Sequence, residues 1–306
     1  MKKHSLLDDQ KGAVAVILAL LMAALAGFSA LALDLGGVYL EKYALSNIVD
    51  SAALAGAQEI PQDFLEAEKK AEEYALLNGA KSKELKITTD STNNTITVLA
   101  ERTVPFNFAK ILGFTGTKVN AKAVAGVGTV GKVKGIVPFG IQEQELEFGK
   151  LYDLKVGAPP AFGAGNFGAL ALGGKGANRY RDNIKYGYQE WVAIGDILET
   201  ESGNMSGPTM QGVNYRISQE NHSPCTPDNF RRDCPRLVTV PVYEPLGNKN
   251  HIKEVRVKGF AAFLIKEVAG QGNESNVKGY FIETIVPGET SETAGNYGLR
   301  AVKLSQ

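Results

Sequence analysis

The feature that most constrains this chain is an unbroken apolar run near its N-terminus. From Gly12 to Leu33 the sequence reads GAVAVILALLMAALAGFSALAL, 22 residues without a charge or a proline, bounded by Lys11 and Asp34. As a helix rising about 1.5 Å per residue, this run spans roughly 33 Å, which is enough for a bilayer core of about 30 Å. Because no second run of this length follows, the sequence predicts a single-pass protein with a transmembrane helix at residues 12–33.

Two interpretations of the apolar run stay open. It predicts a permanent anchor, but Ala30-Leu31-Ala32 also has the small-x-small form of a signal cleavage site. A signal's apolar region is usually about 7–15 residues long, which favours the anchor. Lys2, Lys3 and Lys11 precede the run, so we expect a cytoplasmic leader at residues 1–11 and an extracytoplasmic remainder.

The helical pattern continues beyond Asp34. No proline interrupts the chain until Pro61, and apolar residues recur at helical spacing after the membrane segment. A pair of glycines, Gly36-Gly37, is placed where a bend just outside the bilayer is possible. Near the end of the helix, small residues allow another helix or strand to approach closely. The residues of this small-residue run are Ala52, Ala53, Ala55, Gly56 and Ala57.

Residues 12–57 resemble the N-terminal module of TadG-like Flp pilus-assembly proteins, also called the TadE/TadG-like membrane module. The resemblance comprises the Gly-Ala start, the apolar stretch, an exit reading ALDLG at 32–36 and a run reading DSAALAGA at 50–57. It implies membrane anchoring and a link to pilus assembly or secretion. The residues that carry this family motif and the expected membrane packing are Gly12, Asp34, Gly36, Asp50, Ala52, Ala53 and Ala55.

The start of this module also resembles a prepilin leader, because Lys11-Gly12 is similar to the end of such a leader. Related pilins carry Glu at the fifth mature position, where this chain has Ile17. The resemblance to TadG-like proteins implies two kinds of partner, the lipid bilayer and other pilus-assembly or envelope proteins.

The fold class we predict is α+β. After the membrane helix and its amphipathic continuation, residues 34–130 should form a small pilin-like α/β unit with a second helix, a hairpin and a further strand. Ile96, Val98 and Ala100 alternate with polar neighbours, as in a half-buried strand. Short apolar runs punctuated by glycine over residues 131–306 predict a Gly-rich, mostly β extracytoplasmic domain, with a long turn-rich loop at 199–235.

The only two cysteines, Cys225 and Cys234, lie nine residues apart in SPCTPDNFRRDCPR. In an exported chain this spacing predicts a local disulfide. Unpaired thiols and metal ligation remain alternatives, because His222 precedes Cys225 by three residues. A fourth ligand is not evident, since His251 is remote in sequence, and we therefore expect no metal.

Composition and motifs narrow the function further. The 33 basic and 33 acidic residues cancel, so the chain has no overall charge that would favour a nucleic-acid partner. The glycine-rich stretch at 168–176 lacks the Lys-Ser/Thr of a phosphate loop. We therefore expect no enzyme, no catalytic residues and no small-molecule cofactor.

The predicted function is a structural role in Flp/Tad-type pilus or secretion-apparatus assembly. A surface binding module acting through loops 160–235 (for cell wall, carbohydrate or host contact) and an exported hydrolase are the alternatives.

Overall fold

The computed structural model describes residues 10–60, 62–154, 168–201, 203, 205–222, 224–247, 252–270 and 276–305. The chain divides into two compact units. Unit 1 runs to Gly126 and includes Leu304 and Ser305, and unit 2 comprises Val127–Lys303. The predicted leader at 1–11 lies almost entirely outside the described residues, as does His251. The α+β class with a long N-terminal helix and a mostly β domain is confirmed.

Unit 1 is built around one long helix, α1, which is continuous from Gln10 to Ala57. Gly36 and Gly37 both lie within it. Three antiparallel strands follow, with Leu85 opposite Ala100 in the first pair and Thr95 opposite Gly126 in the second. The remaining elements are α2 (Phe64–Leu77), a 3₁₀ turn (Ser82–Glu84), β1 (Leu85–Asp90), β2 (Thr95–Pro105), a second 3₁₀ turn (Ala109–Leu112) and β3 (Gly116–Val133).

The packing of unit 1 follows from its sequence pattern. Asp63 accepts hydrogen bonds from the amides of Leu65 and Glu66 at 2.9 Å, which caps the start of α2. One alanine per helical turn, Ala67, Ala71 and Ala75, is buried on α2. The alternating residues predicted for β2, which are Ile96, Val98 and Ala100, are all buried. The half-buried strand is therefore confirmed.

Unit 2 centres on a sheet with the strand order β4-β9-β10-β11-β5, to which β8 adds against β10 and β6 against β8. The last part of β3 pairs with β7 and β13, and β12 pairs with β14 in parallel. Its strands are β4 (Ile141–Gln142), β5 (Leu151–Leu154), β6 (Leu170–Ala171), β7 (Val192–Ala193), β8 (Ile197–Thr200), β9 (Leu237–Leu246), β10 (Glu254–Ala269), β11 (Asn276–Ile282), β12 (Thr284–Ile285), β13 (Glu289–Thr290) and β14 (Leu299–Ser305).

Strand β10 is buried on both faces, which explains why residues 259–265 read as a continuous apolar run. Phe260, Ala262 and Leu264 belong to one hydrophobic cluster. The alternate residues on the other face, such as Phe263, belong to a second cluster with Tyr180 and other helical side chains.

Two helices in unit 2 were not predicted. They are α3 (Ala177–Tyr186) and α4 (Ser206–Ser218). The prediction of a turn-rich loop over 199–235 was wrong where α4 lies. Gly207 and Pro208 fall within this range, and they occupy the first turn of α4, where a proline costs no helical hydrogen bond.

Candidate functional site

The first half of α1 is the only helix among the described residues that is long and apolar enough to cross a membrane. The most apolar stretch of 18 residues in this helix is not buried by any other part of the structure. Leu20, Leu25 and Phe28 are each about two-thirds exposed or more (67, 66 and 71 %). A side-chain surface of this kind is stable only when lipid or another apolar surface covers it.

Asp34, which ends the apolar run, caps a distant element. Its side chain is 4 % exposed. Oδ1 accepts a hydrogen bond from the amide of Asn107 at 2.7 Å, and Oδ2 accepts one from Ala109 at 2.7 Å. The amide of Phe108 lies 3.1 Å from Oδ2. One carboxylate therefore satisfies the free N–H groups at the start of the second 3₁₀ turn.

That 3₁₀ turn exposes an apolar surface that we call the tip, residues 108–114. Ile111 is 87 % exposed, Leu112 77 % and Phe114 62 %. The tip and the helix residues from Ala26 to Asp34 line an apolar groove of about 580 Å³. At about 1.5 Å per residue, the tip lies alongside the last ~12 Å of the apolar run.

A cluster around Arg102 on β2 connects four parts of unit 1. The guanidinium donates hydrogen bonds to Glu41 Oε2 on α1 (3.0 Å), to Glu84 Oε2 (2.9 Å) and to the carbonyl of Gly79 after α2 (2.9 Å). The hydrogen bond from Arg102 is the main cause of a lowered pKa at Glu84. Arg102 and Glu84 are both mostly shielded from solvent, so this pair holds β2 to the first 3₁₀ turn more firmly than a surface ion pair would. Glu41, which links the cluster to α1, is 45 % exposed.

The small residues of the family motif pack in the core of unit 1. Ala52 and Ala53 are fully buried, and Ala55 is 7 % exposed. A Cβ added at Gly56 would lie 2.6 Å from the carbonyl oxygen of Ala67 and 2.7 Å from Ile96 Cδ1. These residues therefore bring α1 into close contact with α2 and β2.

The other motif residues lie elsewhere on α1. Gly12 and Gly36 are exposed, with open space around each. Asp50 is half-buried and lines a shallow groove together with Lys122 of β3. The structure thus separates the motif into an exposed apolar segment, a capping aspartate and a packed small-residue segment.

The cysteines of unit 2 are both buried free thiols. Burial and a hydrogen bond with Cys225 raise the pKa of the Cys234 thiol to about 12. The predicted disulfide between them stays a prediction. The structure also brings Glu220 and His222 beside them, and the four potential ligand atoms lie within 4.8 Å of one another.

Glu220 is a residue that the sequence reasoning missed. Burial alone raises its pKa, but hydrogen bonds from Arg236 and from the amide of Cys225 outweigh this and leave the pKa lowered. The spacing Glu-x-His-x-x-Cys at 220–225 was a signal available in the sequence. The sequence prediction considered His251, and not Glu220, as the fourth ligand.

Comparison with known proteins bears on the N-terminal segment alone. Residues 12–59 match the family model described as "Putative Flp pilus-assembly TadE/G-like". The resemblance predicted for residues 12–57 is thereby confirmed. No curated protein and no solved structure shows a significant match to the chain. The expectations that the chain is not an enzyme and holds no cofactor stay predictions.

Proposed function

We propose that this protein is a membrane-anchored structural component in the assembly of a Flp/Tad-type pilus or secretion apparatus. The observation that carries the proposal is that the segment matching the TadE/G-like model, 12–59, coincides with α1. That helix exposes its apolar first half and packs its last part, Leu45–Ala57, in the core of unit 1. The match thus covers both the candidate anchor and the base of the domain attached to it.

The role follows from what the two halves of α1 can do. Exposed Leu, Ala and Gly residues over 12–33 are suited to contact lipid or a partner's transmembrane helix, because small side chains allow helices to approach closely. The last part of the helix, from Leu45 to Ala57, packs against other elements of unit 1. Partner contacts within the membrane therefore involve residues 12–33 rather than the small-residue run at 50–57.

The tip supplies a second contact with the bilayer. Ile111, Leu112 and Phe114 are apolar and exposed, and the groove beside them is lined by the end of the apolar run. If the bilayer core ends near Leu33, these side chains enter its interfacial layer, where apolar groups on short helical segments are stabilised. Lys110 is exposed on the same turn and can reach the lipid headgroups.

In this proposal the N-terminus is cytoplasmic and both units are extracytoplasmic, which rests on Lys2, Lys3 and Lys11. An epitope tag placed after residue 306 should be accessible to antibody on cells stripped of outer barriers. A tag placed before residue 1 should become accessible only after the inner membrane is permeabilised. The reverse pattern would refute this orientation.

Photo-crosslinking in the cell tests the assembly role. A photoreactive residue replaces Leu21 or Leu25 on the exposed apolar face of α1. We expect crosslinks to other pilus-assembly or envelope proteins, and loss of pili or secretion when the gene is deleted. A photoreactive residue at Leu65, which is exposed on α2, is the matched control and should lack those in-membrane crosslinks. Normal pili and secretion after deletion would contradict the proposal.

Quenching by brominated lipids tests the contact between the tip and the bilayer. In a Trp191→Phe background, Ile111→Trp should be strongly quenched in vesicles containing brominated lipid. Leu65→Trp is the matched control, because Leu65 is also exposed but follows the far end of α1, roughly 35 Å along the helix from Asp34. Equal quenching at the two positions would contradict insertion of the tip.

A further inference from the structure

The side chains of Glu220, His222, Cys225 and Cys234 converge between α4 and β9 in unit 2. Each offers one atom of a type that binds metals, and these four atoms all lie within 4.8 Å of one another. Both cysteines are buried, at 6 and 3 % exposure. The His222 Nε2 atom is also buried.

One edge of the cluster has the length expected around a tetrahedral ion, and the other distances lie within 4.8 Å. With Zn–S near 2.3 Å and Zn–O near 2.0–2.2 Å, the sulfur-to-oxygen edge of such a tetrahedron is about 3.6 Å. The distance from Cys234 Sγ to Glu220 Oε1 is 3.6 Å. A disulfide, by contrast, requires the two sulfurs at about 2.05 Å, and both thiols are free in the structure.

A shell of hydrogen bonds holds the cluster in place. Arg236 donates to Glu220 Oε1 and to the carbonyl oxygen of Cys225, each at 2.8 Å. It also donates to the carbonyl oxygen of Ile265 on β10 at 2.9 Å, which ties the cluster to the central sheet. The amide of Cys225 donates to Glu220 Oε1 at 3.0 Å. Partners of this kind orient metal ligands and are part of a functional metal site.

The charges of the cluster balance when a divalent ion is present. Two thiolates and one carboxylate carry three negative charges, and a divalent cation with the Arg236 guanidinium carries three positive charges. A buried group of charges is tolerated when it is paired and hydrogen-bonded in this way. Soft thiolate ligands together with imidazole select zinc over the hard cations Mg²⁺ and Ca²⁺.

We propose that Glu220, His222, Cys225 and Cys234 bind one Zn²⁺ as a closed, four-coordinate structural site. Binding releases the two thiol protons to solvent, and no open coordination position remains for a substrate. The ion joins the segment that follows α4 to the segment that precedes β9, and so stabilises this edge of unit 2. It occupies the same two sulfurs as the predicted disulfide, so the two states exclude each other.

Metal analysis of the full chain in detergent tests this proposal. The protein is purified without added reductant or chelator, and its zinc content and intact mass are measured together. We expect one zinc per chain and an intact mass, after the metal is removed in acid, that retains both thiol hydrogens. Absence of zinc would overturn the proposal, whether the mass shows the loss of two hydrogens that marks a disulfide or shows two free thiols.

Variants then assign the ligands. Cys225→Ser and His222→Gln should each weaken zinc binding by about tenfold or more, whereas Asp228→Asn, in the same loop, should retain it. Replacement of the zinc by Co²⁺ in the wild-type chain gives a readout that does not depend on a variant folding. We expect intense visible absorption of a tetrahedral cobalt site with thiolate-to-metal charge transfer. A spectrum typical of octahedral cobalt, or zinc retained in both ligand variants, would refute the assignment.

Discussion

The close contact between α1 and α2 at Gly56 predicts whether the substitution Gly56→Ala stabilises or destabilises unit 1. Gly56→Ala should add helix propensity worth about 1 kcal/mol. The new Cβ would, however, lie 2.6 Å from the backbone oxygen of Ala67 and 2.7 Å from Ile96 Cδ1. Overpacking of this kind costs about 1–3 kcal/mol, so we expect a net destabilisation of about 1 kcal/mol.

Gly36→Ala is the matched control on the same helix. No atom lies within 4 Å of a Cβ built at Gly36, so the substitution adds helix propensity without a clash. The difference between the two variants, about 2 kcal/mol, isolates the steric cost of the close contact.

Hydrogen exchange of the full chain in detergent measures this difference. With 1.4 kcal/mol per tenfold, Gly56→Ala should speed exchange of the amides in α2 and β2 about fivefold. Gly36→Ala should slow exchange of the same amides about fivefold, so that the rates of the two variants differ by about 25-fold. Ile96→Val removes the side-chain atom nearest to the new Cβ. The loss of stability that it causes should therefore be smaller in the Gly56→Ala background than in the wild type, by about 0.5 kcal/mol or more. If Gly56→Ala slows exchange in α2, the close approach of the two helices is refuted.

Three further outcomes are expected. Asp34→Ala should speed exchange of the amides at 107–109, because they lose their acceptor; unchanged exchange there would contradict the cap. The hydrogen bond from Arg102 lowers the pKa of Glu84, so its contribution to stability is present above the usual value of 4.5 and is lost as the pH falls through the lowered value. Glu84→Gln should remove this acid-dependent loss, measured as exchange in unit 1 between neutral and acidic pH. Phe281→Ala, at a fully buried position, should destabilise unit 2 by about 3–5 kcal/mol, measured by urea unfolding followed by tryptophan fluorescence; a loss below 1 kcal/mol would contradict its place in the core.

Local pattern was sufficient to predict the first half of the fold. The apolar run at 12–33 and the alternation in β2 are each visible as a pattern of neighbouring residues. Unit 2 was harder to predict, because glycine and proline are typical of loops but are also tolerated in the first turn of a helix. Gly207 and Pro208 fall within the predicted loop at 199–235, but they lie in the first turn of α4.

The contacts that form the candidate sites depend on residues far apart in the chain. Asp34 was recognised as the end of the membrane segment, but its partner Asn107 is 73 residues away. Its capping role therefore had no local signature. Arg236 similarly reaches Glu220 from 16 residues away and Ile265 from 29. Only the fold brings these groups together, whereas the short spacing from Glu220 to Cys225 was visible in the sequence.

The unbroken course of α1 from the apolar run into the core of unit 1 has a mechanical consequence. A helix without a flexible joint transmits torque and axial load along its length, and each residue of register corresponds to about 100° of rotation and 1.5 Å of rise. Any neighbour that turns or pulls the segment at 12–33 therefore turns or pulls Ala52 and Ala53, and with them unit 1. Because residues 12–57 form one continuous helix, a rotation or displacement of the membrane segment would reach the folded domain as rigid motion.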